Sequence, residues 1–148
     1  MLVFLAHHGD AVGPGVDPQR PLSSLGRVQV DSLANQAAAR DVRPKVIWHS
    51  GKLRARQTAE AYWRACNPLA EFTASHWMQP SDPPHIADQL AIDTDDVLLA
   101  GHMPHLDRLL RRLLGENPGA PLFPENGLVA VERTEIGWEE RWRLEAPR

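Results

Sequence analysis

Apolar residues fall along this chain in short unbroken runs, separated by longer stretches in which they recur every third or fourth position. Leu2, Val3, Phe4 and Leu5 form the first run, which stops at the polar His7-His8-Gly9-Asp10. A continuous run of that length predicts a strand buried on both faces rather than one with a solvated side. Gly13, Pro14, Gly15 and Pro18 then force a loop. From Ser24 to Arg40, Leu25, Val28, Leu33 and Ala37 hold helical spacing, with Ser23 or Ser24 as the cap. The pattern then repeats. Val46, Ile47 and Trp48 predict a strand ending at His49-Ser50-Gly51, and Lys52 to Ala65 a helix stopped by Asn67-Pro68.

Further along, Phe72 to Met78 reads as a third strand, Pro80 to Pro84 as irregular chain and Ile86 to Ile92 as a short helix. Val97 to Ala100 is another buried strand, ending at Gly101-His102. Pro104 suits the first turn of a helix whose apolar stripe, Leu106, Leu109, Leu110, Leu113 and Leu114, runs to Gly115. Leu128 to Arg133 and Arg141 to Leu144 predict two strands of a hairpin around Ile136-Gly137. With no internal repeat or linker, one domain over residues 1–148 is expected. Strand and helix alternate, so the predicted class is α/β: a three-layer sandwich, a mostly parallel central sheet with helices on both faces and an antiparallel addition at the C-terminal end. In such sheets sites lie beyond the carboxyl ends of the strands. The polar segments at His7-His8-Gly9-Asp10, His49-Ser50-Gly51 with Arg54, and Gly101-His102 are therefore expected at one edge.

Composition narrows the setting. The chain has 148 residues and is 43% apolar, enough to bury a core without disulfides. Its single cysteine, Cys66, cannot form an internal disulfide and reads as a small core hydrophobe in a reducing compartment. Sixteen Lys and Arg against nineteen Asp and Glu leave a charge of −3, which argues against nucleic acid or an anionic membrane as partner. No run approaches the roughly 18 apolar residues of a membrane span, and Met1 to Ala6 lacks the basic start of a secretion signal, so a cytoplasmic location is expected. Seven histidines remain as an unusual count.

Singly, each of these histidines reads as a loop or structural residue. Grouped at strand ends and helix N-termini, imidazoles and guanidiniums form a socket for a tetrahedral oxyanion, and phosphate is the obvious occupant. The residues also carry a resemblance. His8-Gly9-Asp10-Ala11 after the first strand, Arg20-Pro21-Leu22-Ser23 with Gly26, Ser50 with Leu53-Arg54-Ala55 and Gln57-Thr58-Ala59, and Gly101-His102-Met103-Pro104 resemble the histidine phosphatase superfamily. The compact length is most similar to its small SixA-like phosphohistidine phosphatase branch, and the resemblance implies a phosphoglycerate mutase-like fold. It also implies a phosphatase, acting on a phosphate-bearing substrate such as a phosphohistidine protein, with no metal or cofactor. Carried over residue by residue, it makes His8 the nucleophile that becomes a covalent phosphohistidine, with Arg54 and His102 on the phosphate oxygens, Arg20 a further phosphate contact and Gly9 a point of close backbone approach.

One departure bears on activity. The family motif begins with arginine, and this chain has His7 there, a side chain that titrates near 6.5 and offers one donor per nitrogen. Three readings follow: a weakened enzyme, an enzyme compensated by groups such as Arg20, or a phosphate-binding module without turnover. The acid that would protonate a leaving oxygen is a second open point, since Gln79-Pro80-Ser81-Asp82-Pro83-Pro84 offers only Asp82, which also suits a turn. Asp10 is either an orienting group for His8 or a loop cap. A phosphohistidine substrate lessens the need for an acid, because its P–N bond is labile and its imidazole can be protonated by solvent. A different chemistry, a metal-dependent hydrolase on His7, His8, Asp10, His49, His102 and His105, has the helical spacing of His102 and His105 in its favour. Against it, adjacent His7 and His8 on a strand should point to opposite sides, and no metal-hydrolase motif is present.

Overall fold

In a computed structural model describing residues 1–148, the chain forms β1 (Leu2–His7), α1 (Ser24–Ala39), β2 (Val46–His49), α2 (Leu53–Cys66), β3 (Glu71–Ala74), α3 (Ile86–Leu90), β4 (Val97–Gly101), α4 (His105–Leu114), β5 (Leu128–Thr134) and β6 (Gly137–Leu144). The strands make one sheet in the order β3-β2-β4-β1-β5-β6. β1 and β4, β2 and β4, and β2 and β3 run parallel, while β5 lies antiparallel to β1 and β6 antiparallel to β5. The α/β architecture is the one the alternation of runs predicts.

Why β1 reads as unbroken apolar sequence follows from its place in this sheet. Phe4 and Ala6 face Leu33 and Ala37 of α1 and Ala59 and Tyr62 of α2. Val3 and Leu5 face the opposite way, toward Ile86 and Leu90 of α3 and Leu106, Leu109 and Leu113 of α4. Both sets of alternating side chains are removed from water, each large one contributing about 1.5–3 kcal/mol, so neither face tolerates a polar residue. On α4 Leu106, Leu109, Leu110 and Leu113 take the buried stripe, while Leu114, expected in it, is exposed and Arg108, Arg111 and Arg112 lie on the outer side. At α1, Ser23 is the cap, its Oγ accepting the Gly26 N–H at 3.0 Å. Cys66 is buried, and burial pushes its thiol up to about 11. No helix is long and apolar enough to cross a membrane.

The element boundaries differ from the sequence reading most at β3 and β6, and α3 ends at Leu90 rather than Ile92. β3 pairs with β2 only from Val46↔Glu71 to His49↔Ala74 and stops where β2 stops. The Ser75 N–H bonds the His49 carbonyl at 2.9 Å, the chain turns through a left-handed Trp77 (φ 64), and Met78 drops into the core, so its apolarity anchors a turn rather than extending a strand. β6 begins at Gly137, well before Arg141, because it is an edge strand whose half-buried and exposed residues alternate and leave no continuous apolar run. Pro104 stands just before α4, which starts at His105. Both sheet edges are polar: most of β3 is exposed, and β6 and its neighbour carry the pairs Arg141–Glu132 (2.7 Å), Arg141–Glu139 (2.8 Å) and Arg143–Glu140 (2.8 Å).

Candidate active site

Parallel pairing of β1, β4 and β2 delivers their carboxyl ends to one edge. His7 pairs with Gly101, and the His8 N–H reaches the Gly101 carbonyl at 3.0 Å, carrying the ladder one step past the strand. His8 and His102 therefore leave the sheet side by side, ring centroids 5.1 Å apart. Ser50, just after β2, places its Oγ 2.6 Å from His102 Nε2. From α2 comes Arg54, one residue into the helix, and one turn later Thr58, whose Oγ1 accepts the Gly9 N–H at 3.0 Å and donates to the Arg54 carbonyl at 2.8 Å. The strand end that carries His8 is thus bonded to the first turn of α2.

The protonation of His8 can be read from its neighbours. Its Nδ1 lies 2.8 Å from the Gly9 carbonyl, an atom that only accepts, so Nδ1 carries the proton and Nε2 keeps a lone pair. Burial lowers its pKa; the Gly9 bond opposes this, and the cations Arg54 and Arg20 reinforce it against Asp10. The ring is neutral at pH 7. His102 is buried, and burial, then the fields of His8, Arg54, Lys52 and His7, pulls it down to about 3; its Nδ1 has no protein partner. His7 is also buried and pulled down to about 3, by burial first and then by His8 and Arg54. Its Nδ1 accepts the Asn126 N–H at 2.8 Å, so a neutral His7 carries its proton on Nε2.

Arg20 and Arg54 supply the permanent charge. Arg20 sits at a left-handed φ of 50 in a loop closed by the Val12 N–H on the Pro21 carbonyl, and its Nε donates to the Val12 carbonyl at 3.0 Å. Burial, and after it Arg20, lowers the Arg54 pKa, and Arg54 Nε is buried without a partner. Neither guanidinium has a carboxylate within ion-pair distance, in contrast to Arg56 with Glu60 or Arg111 with Asp107. Two unpaired cations beside three neutral imidazoles suit a dianion.

The remaining expected residues fall as follows. Gly9 has no side chain because α1 leaves no room: a Cβ there would come within 2.5 Å of Val30 Cγ2 and 3.2 Å of the Gly26 carbonyl. Asp10 accepts the Ser23 hydroxyl at 2.6 Å, and its carbonyl accepts the Ser23 N–H at 2.9 Å, bonds that tie the loop after β1 to the capping serine of α1. Asp82 accepts the Gln79 N–H at 2.8 Å within a turn, while Gln79 Nε2 donates to the Ser50 carbonyl at 2.7 Å. His7 and His8 do not diverge as strand alternation predicts: their rings lie 4.5 Å apart, because β1 ends at His7 and His8 is outside the pleat. His49 accepts the Gly51 N–H at 3.0 Å, and His105 is buried with both ring nitrogens unpartnered. No three His, Cys, Asp or Glu side chains come together in a way that could hold a metal ion. Asn126 went unread in the sequence; beyond its N–H to His7, its Nδ2 donates to the His8 carbonyl at 2.8 Å, and only its position just before an apolar strand hinted at it.

The six-stranded sheet and its flanking helices make a phosphoglycerate mutase-like α/β fold, one that solved histidine phosphatases share. More narrowly, the similarity is to the SixA phosphohistidine phosphatases. A protein histidine phosphatase SixA in complex with tungstate superposes with a TM-score of 0.85 at 27% identity over 98% of this chain and 97% of that one. A candidate phosphohistidine phosphatase SixA from Agrobacterium tumefaciens gives 0.80 at 26% identity over 97% of each chain. A mutant phosphoserine phosphatase from Entamoeba histolytica, in complex with phosphoserine, shares the fold at 0.72 and 12% identity over 96% of this chain and 95% of that one. No protein-family model and no curated protein sequence matches the chain. The similarity to SixA supports a phosphatase function.

Proposed function

We propose that this protein is a metal-independent phosphatase that removes phosphate from phosphohistidine through a covalent intermediate on His8. The observation that carries the reading is the 2.8 Å bond from His8 Nδ1–H to the Gly9 carbonyl, which leaves Nε2 unprotonated in a ring kept neutral at pH 7. Nε2 donates its lone pair to phosphorus, the bond from phosphorus to the leaving nitrogen breaks, and that electron pair passes to the leaving ring, which, protonated on its far nitrogen, departs as neutral imidazole. His8 then bears both the phosphoryl group and its Nδ1 proton, so the ring is cationic and the Gly9 carbonyl stabilises it. Water attacks the same phosphorus, returns the pair to Nε2 and releases inorganic phosphate.

Charge on the equatorial oxygens spreads most in the transition state, and fixed donors there are worth more than equal donors in water. Arg54 and Arg20 supply guanidiniums, and His7 supplies its Nε2–H. Ser50 Oγ accepts the Lys52 N–H at 3.3 Å and donates its own proton to His102 Nε2, which leaves a His102 Nδ1–H for a phosphate oxygen. Tungstate on the similar SixA is a tetrahedral oxyanion of the shape this socket suits. Asp10 bonds to the capping Ser23 and Asp82 closes a turn, and a labile P–N bond with a basic leaving nitrogen needs no strong enzymic acid.

Phosphate release from a phosphohistidine protein and from small phosphate esters, with His8→Ala as the blank, tests the reading. Turnover highest on phosphohistidine and an acid-labile phosphoryl group trapped on His8 are expected. Wild-type activity in His8→Ala would overturn it. A second reading, phosphate binding without turnover, is favoured by the uncharged His7 where the family motif has arginine, and predicts phosphate binding with no release from any substrate.

A further inference from the structure

A groove of about 470 Å³ opens beside Ser50 and is lined by Ser50, His76, Trp77, Gln79 and Asp82 among others. It communicates with the histidine cluster through two bonds: Ser50 Oγ to His102 Nε2 at 2.6 Å and Gln79 Nε2 to the Ser50 carbonyl at 2.7 Å. Trp77 is anomalous in two independent ways. It is a bulky residue in the left-handed region (φ 64), a conformation that persists only where the surroundings impose it. It also remains 53% exposed, so core packing does not account for it. The surroundings that impose it are visible: the Ser75 N–H is tied to the His49 carbonyl at 2.9 Å on one side, and Met78 is fully buried on the other. His85 meets the indole in a T-shaped contact at 4.8 Å, steadying its plane. The molecule thus spends backbone strain to present an aromatic ring to solvent in a groove that adjoins the phosphoryl socket, with one carboxylate, Asp82, in the same lining.

We infer that this groove is the subsite for the leaving group, a planar aromatic nitrogen base that is cationic while bonded to phosphorus, with Trp77 as its stacking platform and Asp82 as its counter-charge. The inference rests on the phosphatase reading above. A phosphoimidazole protonated on its far nitrogen is flat and cationic. When His8 Nε2 bonds to phosphorus, the electron pair of the broken P–N bond passes to the ring and cancels that charge. The ring leaves as neutral imidazole with its proton still in place, so no further proton donor is required. An indole face attracts the cationic ring, and the nearby carboxylate favours the protonated form from which departure is easiest. Alkyl phosphates offer neither the plane nor the charge.

Three substrates separate these contributions: N-phosphoimidazole, phosphoramidate, whose leaving group is ammonia, and phenyl phosphate, whose ring is flat but carries no positive charge while bound. In Trp77→Gly the ratio of kcat/KM for phosphoimidazole over phosphoramidate falls about fivefold to tenfold. Because glycine relieves the left-handed strain, the melting temperature of that variant does not fall. Trp77→Phe keeps most of the ratio. Asp82→Asn, which can still accept the Gln79 N–H, lowers the ratio of phosphoimidazole over phenyl phosphate severalfold. A wild-type ratio in Trp77→Gly, with the wild-type protein active, overturns this inference alone. A wild-type protein that turns over none of the three overturns the phosphatase reading and this inference with it.

Discussion

Replacing His7 with arginine tests how the socket handles charge. His7 is buried, its ring lies 4.5 Å from that of His8, and at pH 7 it is uncharged. An arginine there places a permanent cation about that far from a phosphoryl group carried on His8 as proposed. A unit charge pair at about 4 Å is worth about 4 kcal/mol at an effective dielectric of about 20. Only the part that grows between bound substrate and transition state accelerates turnover, so kcat/KM should rise about 10- to 100-fold rather than by the full factor. The change also costs stability. The Asn126 N–H loses its acceptor, worth about 1–3 kcal/mol, and a third guanidinium joins Arg20 and Arg54. A melting temperature lower by about 3–10 °C is expected, with much of the loss recovered in inorganic phosphate or tungstate. Initial rates of phosphate release and melting curves with and without the anion measure both effects. A variant that folds, gains stability from phosphate and yet shows unchanged or lower kcat/KM would refute the argument that the missing fixed charge limits the wild-type rate.

Further expectations concern the surrounding bonds. His7 and His102 have folded pKa values of about 3 against an ordinary 6.5, so the unfolded chain takes up their protons first as pH falls. Stability is therefore complete above about pH 6.5 and lost below it, by about 1.4 kcal/mol per pH unit for each down to pH 3, with His8, His49 and His105 shifted in the same direction. Urea unfolding between pH 7 and 5 measures the slope, and a flat profile would contradict the burial argument. Ser50→Ala strands the buried His102 Nε2; kcat should fall about tenfold or more while KM changes less, and an unchanged kcat would remove the Ser50–His102 pair from the mechanism. Gly9→Ala should lower the melting temperature through its clash with Val30, and adding Val30→Ala should recover part of the loss. Gly26→Ala, which meets the Asp10 backbone carbonyl, should have no such rescue.

What the chain discloses before folding depends on whether a residue's surroundings are local. Leu2 to Leu5 and Val97 to Leu99 are legible as central strands because burial on two faces strips them of polar residues. β6 is not, since Trp138 alternates with exposed glycine and glutamate, and a half-solvated edge has no unbroken run. Met78 misleads for the opposite reason: it is apolar because it plugs the core beneath a turn. Among the candidate site residues, His8, Arg54 and His102 stand out because each follows a strand end or opens a helix, and parallel topology brings such positions together. Asn126 does not, because its bond to His7 is made by a backbone N–H across 119 residues, a group every non-proline residue possesses. The charge state of His7 is equally invisible in sequence. It is set by burial and by the fields of His8 and Arg54, not by residue type.

The two rims of the sheet have a practical consequence. A free strand rim is where another chain adds on, and long flat apolar rims are where aggregates begin. Here one rim is a four-residue strand with mostly exposed side chains, and the other is laced with alternating glutamates and arginines paired to each other. The first is too short to template a passing strand, and the charges along the eight-residue β6 disfavour one there. The protein should tolerate the high concentrations that nitrogen NMR of its ring tautomers demands, so the proton positions assigned above to His7, His8 and His102 are open to direct observation.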